Sequence, residues 1–154
     1  MSKEIERKFL VKKNLFKIIG ESQYIAQGYL SSTPDRTVRV RIKNHKGYLT
    51  VKGKNKGISR SEFEYEIPEI DAKELLKLCE QSIIIKRRHI VKFKNSLWEV
   101  DIFEGDNEGL IVAEIELQSE EENFDKPEWI GEEVSFDTRY YNSNLSKFPY
   151  KLWK

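Results

Sequence analysis

Hydrophobic and polar residues alternate with a period of two along most of this chain, the period at which a β-strand turns successive side chains to opposite faces. Ile5 and Phe9 alternate with Glu4, Glu6 and Lys8, and Val38, Val40 and Ile42 alternate with Arg39 and Arg41. Leu49 and Val51 alternate with Thr50 and Lys52, and Phe63, Tyr65 and Ile67 with Glu62, Glu64 and Glu66. Further on, Lys86 and Arg88 share a face, Trp98, Val100 and Ile102 oppose Glu99 and Asp101, and Ala113, Ile115 and Leu117 oppose Glu114 and Glu116. The pattern predicts about eight strands, at 3–11, 23–32, 36–43, 47–54, 59–67, 83–94, 97–104 and 110–118. Turn-forming runs such as Asn44-His45-Lys46-Gly47 and Lys54-Asn55-Lys56-Gly57 make most connections antiparallel hairpins. Between the fifth and sixth strands Asp71 is placed to cap a helix, with Glu74 three residues on and Leu75, Leu76 and Leu78 as its apolar stripe. A weaker helical pattern covers about 13–20. After Pro127 the tail starts with Trp129 and Ile130, then predicts a short helix near 142–147, capped by Asn142 and docked through Leu145.

The polar face of these strands is ionised, and its sign is sorted by segment. An antiparallel sheet wetted on one side also alternates apolar and polar residues, but such a face ordinarily mixes neutral polar groups with both signs. Here Arg-x-Arg and Glu-x-Glu pairs keep the signs apart, with like charges about 7 Å from each other along a strand. Metal ions and a polyanion would supply the missing counter-charges. Eight antiparallel strands with short turns favour closure into a barrel, which removes exposed edges. With the charged face inside, the helices and tail cover the apolar outer face and the interior is a hydrated, ionised tunnel. The expected fold is therefore all-β dominated (α+β): an eight-stranded antiparallel β-barrel tunnel with a few short helices packed outside.

Composition narrows the function. At 154 residues the chain is expected to form one domain over 1–154. Its 27 Lys and Arg nearly cancel its 26 Asp and Glu, which argues against a nucleic-acid binder. The single cysteine, Cys79, excludes an internal disulfide and a cysteine-built zinc site, fits a reducing cytoplasm, and reads as a packed thiol. No apolar run is long enough to span a bilayer, and the N-terminus enters Lys3-Glu4 without a signal-peptide core. A soluble, cytoplasmic protein without a membrane partner is expected. Ser59, Ser61, His45 and His89 form no triad-like pattern and are assigned no catalysis.

The N-terminal Glu4-Ile5-Glu6-Arg7-Lys8 resembles the Glu-x-Glu-x-Lys signature of the CYTH superfamily, the triphosphate tunnel metalloenzymes, and in particular its bacterial inorganic triphosphatases. The resemblance extends over nearly the whole chain. It includes Gln27-Gly28-Tyr29-Leu30, Val38-Arg39-Val40-Arg41, Leu49-Thr50-Val51-Lys52, Glu62-Phe63-Glu64-Tyr65-Glu66, Lys86-Arg87-Arg88, Val100-Asp101, Glu114-Ile115-Glu116 and Asp137-Thr138-Arg139-Tyr140. It implies an eight-stranded tunnel that binds triphosphate compounds with divalent metal.

Barrel closure would make neighbours of Glu4 and Glu6 on the first strand and Glu114 and Glu116 on the last, with Asp101 beside them. Hard oxygen donors at that density suit Mg²⁺ or Mn²⁺, and their number implies two ions or a substantial outer shell. Lys8, Arg39, Arg41, Lys52, Lys86 and Arg88 lie on the same ionised parity, and in the family these positions hold the phosphate chain. Glu62 and Glu64 would be metal ligands or would orient the arginines, the second role being preferred. The resemblance implies that Tyr29 and Lys52 form a catalytic dyad assisting proton transfer around an attacking water. Where several relatives carry Lys, this chain has Thr138, leaving Arg139 as the nearby basic group. The expected activity is metal-dependent hydrolysis of tripolyphosphate to pyrophosphate and phosphate. Alternatives within the superfamily are nucleoside, thiamine or RNA 5′-triphosphate hydrolysis and adenylate cyclisation. A non-catalytic triphosphate or polyphosphate-binding module is the alternative of another class, and a homodimer is compatible with each.

Overall fold

A computed structural model describes residues 3–18 and 20–153. Its strands are β1 (Lys3–Val11), β2 (Ser22–Thr33), β3 (Arg36–Lys43), β4 (Lys46–Gly53), β5 (Ser59–Ile67), β6 (Glu80–Phe93), β7 (Ser96–Phe103), β8 (Ile111–Glu116) and β9 (Ile130–Glu133). The helices are α1 (Glu69–Leu76) and α2 (Asn142–Lys147), with three single 3-10 turns. The strands run in the order β5-β4-β3-β2-β6-β7-β8-β1, antiparallel throughout, and pairing of β1 with β5 closes them into an eight-stranded barrel. The edge of β1 turned away from β8 is used twice. Lys3, Glu4 and Ile5 pair with β5, while Phe9 and Val11 pair with β9.

The ionised parity faces inward. Outside, Phe9 of β1, Trp98 and Val100 of β7, and Ala113 and Ile115 of β8 form a buried apolar wall, covered by Phe16, Phe124 and Trp129. The rings meet edge to face, with centroids 5.6 Å apart for Phe9 and Trp98 and 4.9 Å for Phe16 and Trp129. Helix α1 covers the opposite outer wall, over β2, β3 and β4. Gly47 permits its close approach, because a Cβ there would lie 2.7 Å from that of Ala72.

At one end of the barrel the inward side chains become apolar: Leu10, Tyr29, Ile84, Phe103 and Val112 meet Val134, Tyr140 and Leu145 of the C-terminal segment. That segment stoppers the barrel, so α2 closes an end instead of lying against an outer wall.

Local details differ from the sequence reading. Helix α1 starts at Glu69, with the extended Pro68 at its N-cap position, so Asp71 lies inside the first turn, where its charge favours the helix dipole, and caps nothing. The stretch 13–18 is a turn without helix, held by hydrogen bonds from Leu15 and Phe16 N–H to the Lys12 carbonyl, while Ile19 lies outside the described residues. Phe16 docking on Trp129 overrides its helical pattern. In α2 the N-cap position is Tyr141, and the Asn142 side chain faces the tunnel. Strand β9 escaped the sequence pattern because only Ile130 of its four residues is buried.

Candidate active site

The barrel encloses a cavity of about 220 Å³. Among the residues singled out from the sequence, Glu4, Glu6, Lys8, Tyr29, Arg39, Arg41, Lys52, Glu62, Glu64, Lys86, Arg88, Glu114 and Glu116 line it. Asp101 lies just beneath, 2% exposed.

On the β6–β7–β8 side, opposite charges are matched at contact distance. Arg88 grips Asp101 with two parallel bonds, Nε to Oδ1 at 2.8 Å and Nη2 to Oδ2 at 2.9 Å, and the Lys86 ammonium reaches Oδ2 at 2.7 Å. Burial would raise the Asp101 pKa, but Arg88 and Lys86 outweigh it and hold the carboxylate well below its ordinary range. Lys86 is pushed down to about 8 by burial, against the opposing pull of Asp101. Its remaining hydrogen bond goes to Asn142 Oδ1, 3.1 Å away on α2. Glu114 is likewise brought down to about 2, since Lys8 and the Arg88–Lys86 pair together overcome burial. Lys8 also donates to the Tyr140 carbonyl at 3.0 Å. Both oxygens of Asp101 are thus committed to cations, an arrangement that anchors the basic side and leaves the group poorly available to a metal.

The arginines of β3 are less well matched. Arg39 and Arg41 share Glu64, each at 3.5 Å, and Thr50 links Arg39 to the same carboxylate through bonds of 3.1 and 3.2 Å. Their buried Nε–H groups have no partner. Burial, with Arg39 and Arg88 nearby, pushes Arg41 down to about 10. A polyanion would satisfy these donors. Glu64 is thus the carboxylate that both arginines contact.

The β1–β5–β8 side carries the opposite imbalance. Register places Glu6 directly across from Glu116, and Lys8 across from Glu114. Burial and the neighbouring Glu114 and Glu4 raise the Glu6 pKa well above the ordinary carboxylate range. Glu116 and Glu62 are raised too, by burial and then by Glu4. Lys52 bonds both oxygens of Glu4, at 3.1 and 3.2 Å, and lies 3.4 Å from Glu62. Although burial disfavours its charge, these carboxylates keep Lys52 more firmly protonated than a free lysine. Gln27 Nε2 donates to the hydroxyl of Tyr29, in the same cavity, at 3.4 Å. Among the described residues, the side chains of Glu6 and Glu116 have no cationic partner in contact. That deficit of positive charge, built from oxygen donors, fits a hard divalent cation. No three carboxylates among the described residues are gathered closely enough to hold one as they stand, because Glu4 is drawn to Lys52 and Glu114 to Lys8.

Lys43, Arg60 and Glu99 also line the cavity, as do Asn55 and the segment Tyr141–Ser143. The three charged residues share the inward parity of Arg41, Glu62 and Asp101, a signal the sequence contained. The Tyr141–Ser143 segment could be found only from the tertiary structure. Arg139 is not in the lining and pairs with Asp137 at 2.6 Å. Cys79 is a packed thiol whose pKa burial raises to about 11.

The model of the CYTH domain matches residues 2–150. The chain is 53% identical to an inorganic triphosphatase of Acetivibrio thermocellus, over all of this chain and 99% of that protein. It is 36% identical to an inorganic triphosphatase of Nitrosomonas europaea, over 93% of this chain and 96% of that protein. Among solved structures, the crystal structure of an inorganic triphosphatase superposes with a TM-score of 0.67 at 33% identity, covering 93% of this chain and 97% of that one. Signature residues, closed ionised tunnel and full-length similarity agree: the chain belongs to the CYTH family.

Proposed function

We propose that the chain hydrolyses inorganic triphosphate to pyrophosphate and orthophosphate with the help of divalent metal. The observation that carries this reading is the charge inventory of the tunnel. Among the described residues, eight cationic side chains face eight acidic ones, Asp101 included, so the interior is balanced overall and polarised locally. A polyanion alone would leave such a lining strongly negative, whereas one accompanied by divalent cations would not. Triphosphatases of this family are metal-dependent in general.

Glu6 and Glu116, with Glu4 alongside, are the residues that would hold Mg²⁺ or Mn²⁺, and two ions would balance most of the incoming charge. Bound there, the metal would supply Lewis-acid stabilisation of the phosphate oxygens and of an attacking hydroxide. Phosphoryl transfer through a loose transition state demands positioning and charge stabilisation above all. Arg39 and Arg41 offer unpaired N–H donors to phosphate oxygens, while Lys8, Lys86 and Arg88 sit on a braced wall that keeps its geometry as charge moves. Lys52 contributes as a cation. Tyr29, anchored by Gln27, has a hydroxyl available to position a water.

Among the described residues, Tyr29 and Tyr141 are the only aromatic residues in the cavity lining, which favours a substrate without a base. Phosphate release from tripolyphosphate, ATP and thiamine triphosphate, each with Mg²⁺ or Mn²⁺, tests the proposal. Tripolyphosphate should be turned over fastest, and turnover of ATP at an equal or higher rate would overturn the substrate assignment.

A further inference from the structure

Two cations in the cavity lining, among the described residues, have no carboxylate within ion-pair distance: Lys43 and Arg60. They mark opposite ends of the inward row of β3. Lys43 is itself the last residue of that row, whereas Arg60 reaches across from β5 to Thr37, six residues earlier and about 20 Å away along the strand. Lys43 lies over the Tyr48 ring, with 5.6 Å from ammonium to centroid. Arg60 is different, because its guanidinium is fixed by neutral acceptors. Nε donates to the Gly53 carbonyl at 3.1 Å and Nη2 to the Thr37 hydroxyl at 3.3 Å. Those two bonds set the plane of the fork and leave three of its five N–H groups free. Glu4 is its cross-strand neighbour, but the Glu4 carboxylate is held by Lys52.

In the same cavity, Asn55 Nδ2 donates to the Tyr141 hydroxyl at 2.9 Å, so the phenol's own proton is free to be donated. Asn55 and Tyr141 line the same cavity as Arg60. A planar cation with its charge uncompensated and a hydroxyl donor lining the same cavity supply the donors for one tetrahedral oxyanion. Resting on the reaction proposed above, we infer that Arg60, with Tyr141, forms a separate phosphate subsite at the Thr37 end of the tunnel, which takes the orthophosphate product. Hydrolysis splits triphosphate into pyrophosphate and orthophosphate. The larger anion stays with the arginine row and the smaller one matches a single guanidinium.

The test is calorimetric titration of inorganic orthophosphate into the full metal-free chain, together with orthophosphate inhibition of tripolyphosphate hydrolysis. Arg60→Gln should weaken orthophosphate binding about tenfold, the loss of one charge-assisted contact, and raise the inhibition constant several-fold more than KM. Arg60→Lys should recover most of the affinity by restoring the charge. Thr37→Val, which keeps every charge and loosens only the fork, should weaken binding about threefold and guards against a folding defect in Arg60→Gln. Unchanged orthophosphate binding in Arg60→Gln would overturn the subsite. An equal rise in KM and inhibition constant would place Arg60 in the triphosphate row and overturn its separateness. A wild-type chain that binds orthophosphate through Arg60 but hydrolyses no tripolyphosphate would sink the proposed reaction and, with it, the product role.

Discussion

The two walls of the tunnel solve the problem of buried charge in opposite ways. On β6, β7 and β8, Asp101 meets Lys86 and Arg88 at 2.7–2.9 Å, and Glu99 and Glu114 meet cations at 3.3 and 3.4 Å. Around Glu6, on β1, β5 and β8, carboxylates face one another and their pKa values rise. A buried pair is stable only if complete, so the first wall is a finished structure. The second is an incomplete one, and what it lacks is positive charge. Counting acidic residues in the sequence would treat the two walls alike, although Asp101 and Glu114 contact cations and, among the described residues, Glu6 and Glu116 do not.

The largest effect should come from breaking the finished wall. Asp101→Asn takes the contacting carboxylate from buried Lys86 and the two-pronged partner from Arg88, which keeps only Glu99 at 3.3 Å and Glu114 at 3.7 Å, and should destabilise the fold by about 3–5 kcal/mol in urea denaturation. A loss below about 1 kcal/mol would show that solvent reaches this wall and the contrast is false. Glu6→Gln should do the reverse to the metal-free protein, stabilising it by on the order of 1 kcal/mol by removing an uncompensated charge. The same variant should weaken metal activation by about 10–100-fold, read from Mg²⁺ and Mn²⁺ titrations of the rate. Destabilisation of the metal-free chain would mean that Glu6 has a cation of its own.

A pH series sharpens the comparison without mutation. Glu6, Glu62 and Glu116 titrate above the ordinary carboxylate range. Between that range and their raised values the folded chain holds more protons than the unfolded one, so stability falls as pH rises. Asp101 and Glu114 titrate below the ordinary range, and their contribution is intact above it and lost as pH falls, through about 2 for Glu114. Metal-free protein should therefore be most stable near about pH 5 and lose about 1 kcal/mol by pH 8. Saturating Mg²⁺ should remove that slope, and thermal melts in buffers of matched ionic strength would show whether it does. The smallest effect is expected for Asn142→Ala, which removes one neutral acceptor from Lys86 and should lower stability by about 1 kcal/mol. A larger loss in the melts would give α2 a greater share in bracing the wall.

Strand parity carried most of this architecture. The eight barrel strands fall within a few residues of the alternation pattern, since inward ionised and outward apolar side chains recur on every barrel strand except β2. What parity could not reveal was partnership. Asp101 and Glu116 look alike in sequence, yet one is gripped by two cations and the other by none, a distinction set by register across strands. The tail was opaque for a related reason. Asn142 resembles a helix cap, but the acceptor is used by Lys86, 56 residues earlier, and no local pattern anticipates that.

The doubled edge of β1 bears on how the molecule comes into being. Lys8 and Glu114 sit opposite each other although 106 positions separate them in the chain, so the ring joins only when the first strand meets nearly the last. Such long-range pairing makes assembly slow relative to the local hairpins and places its entropic cost at the final step. Glu4, Glu6 and Lys8 ride on the strand that completes the ring. Chains interrupted before β8 would possess the arginine row but lack Glu114, Glu116 and the pairing that sets Glu6 opposite Glu116, so the complete acidic face would arrive only with topological closure.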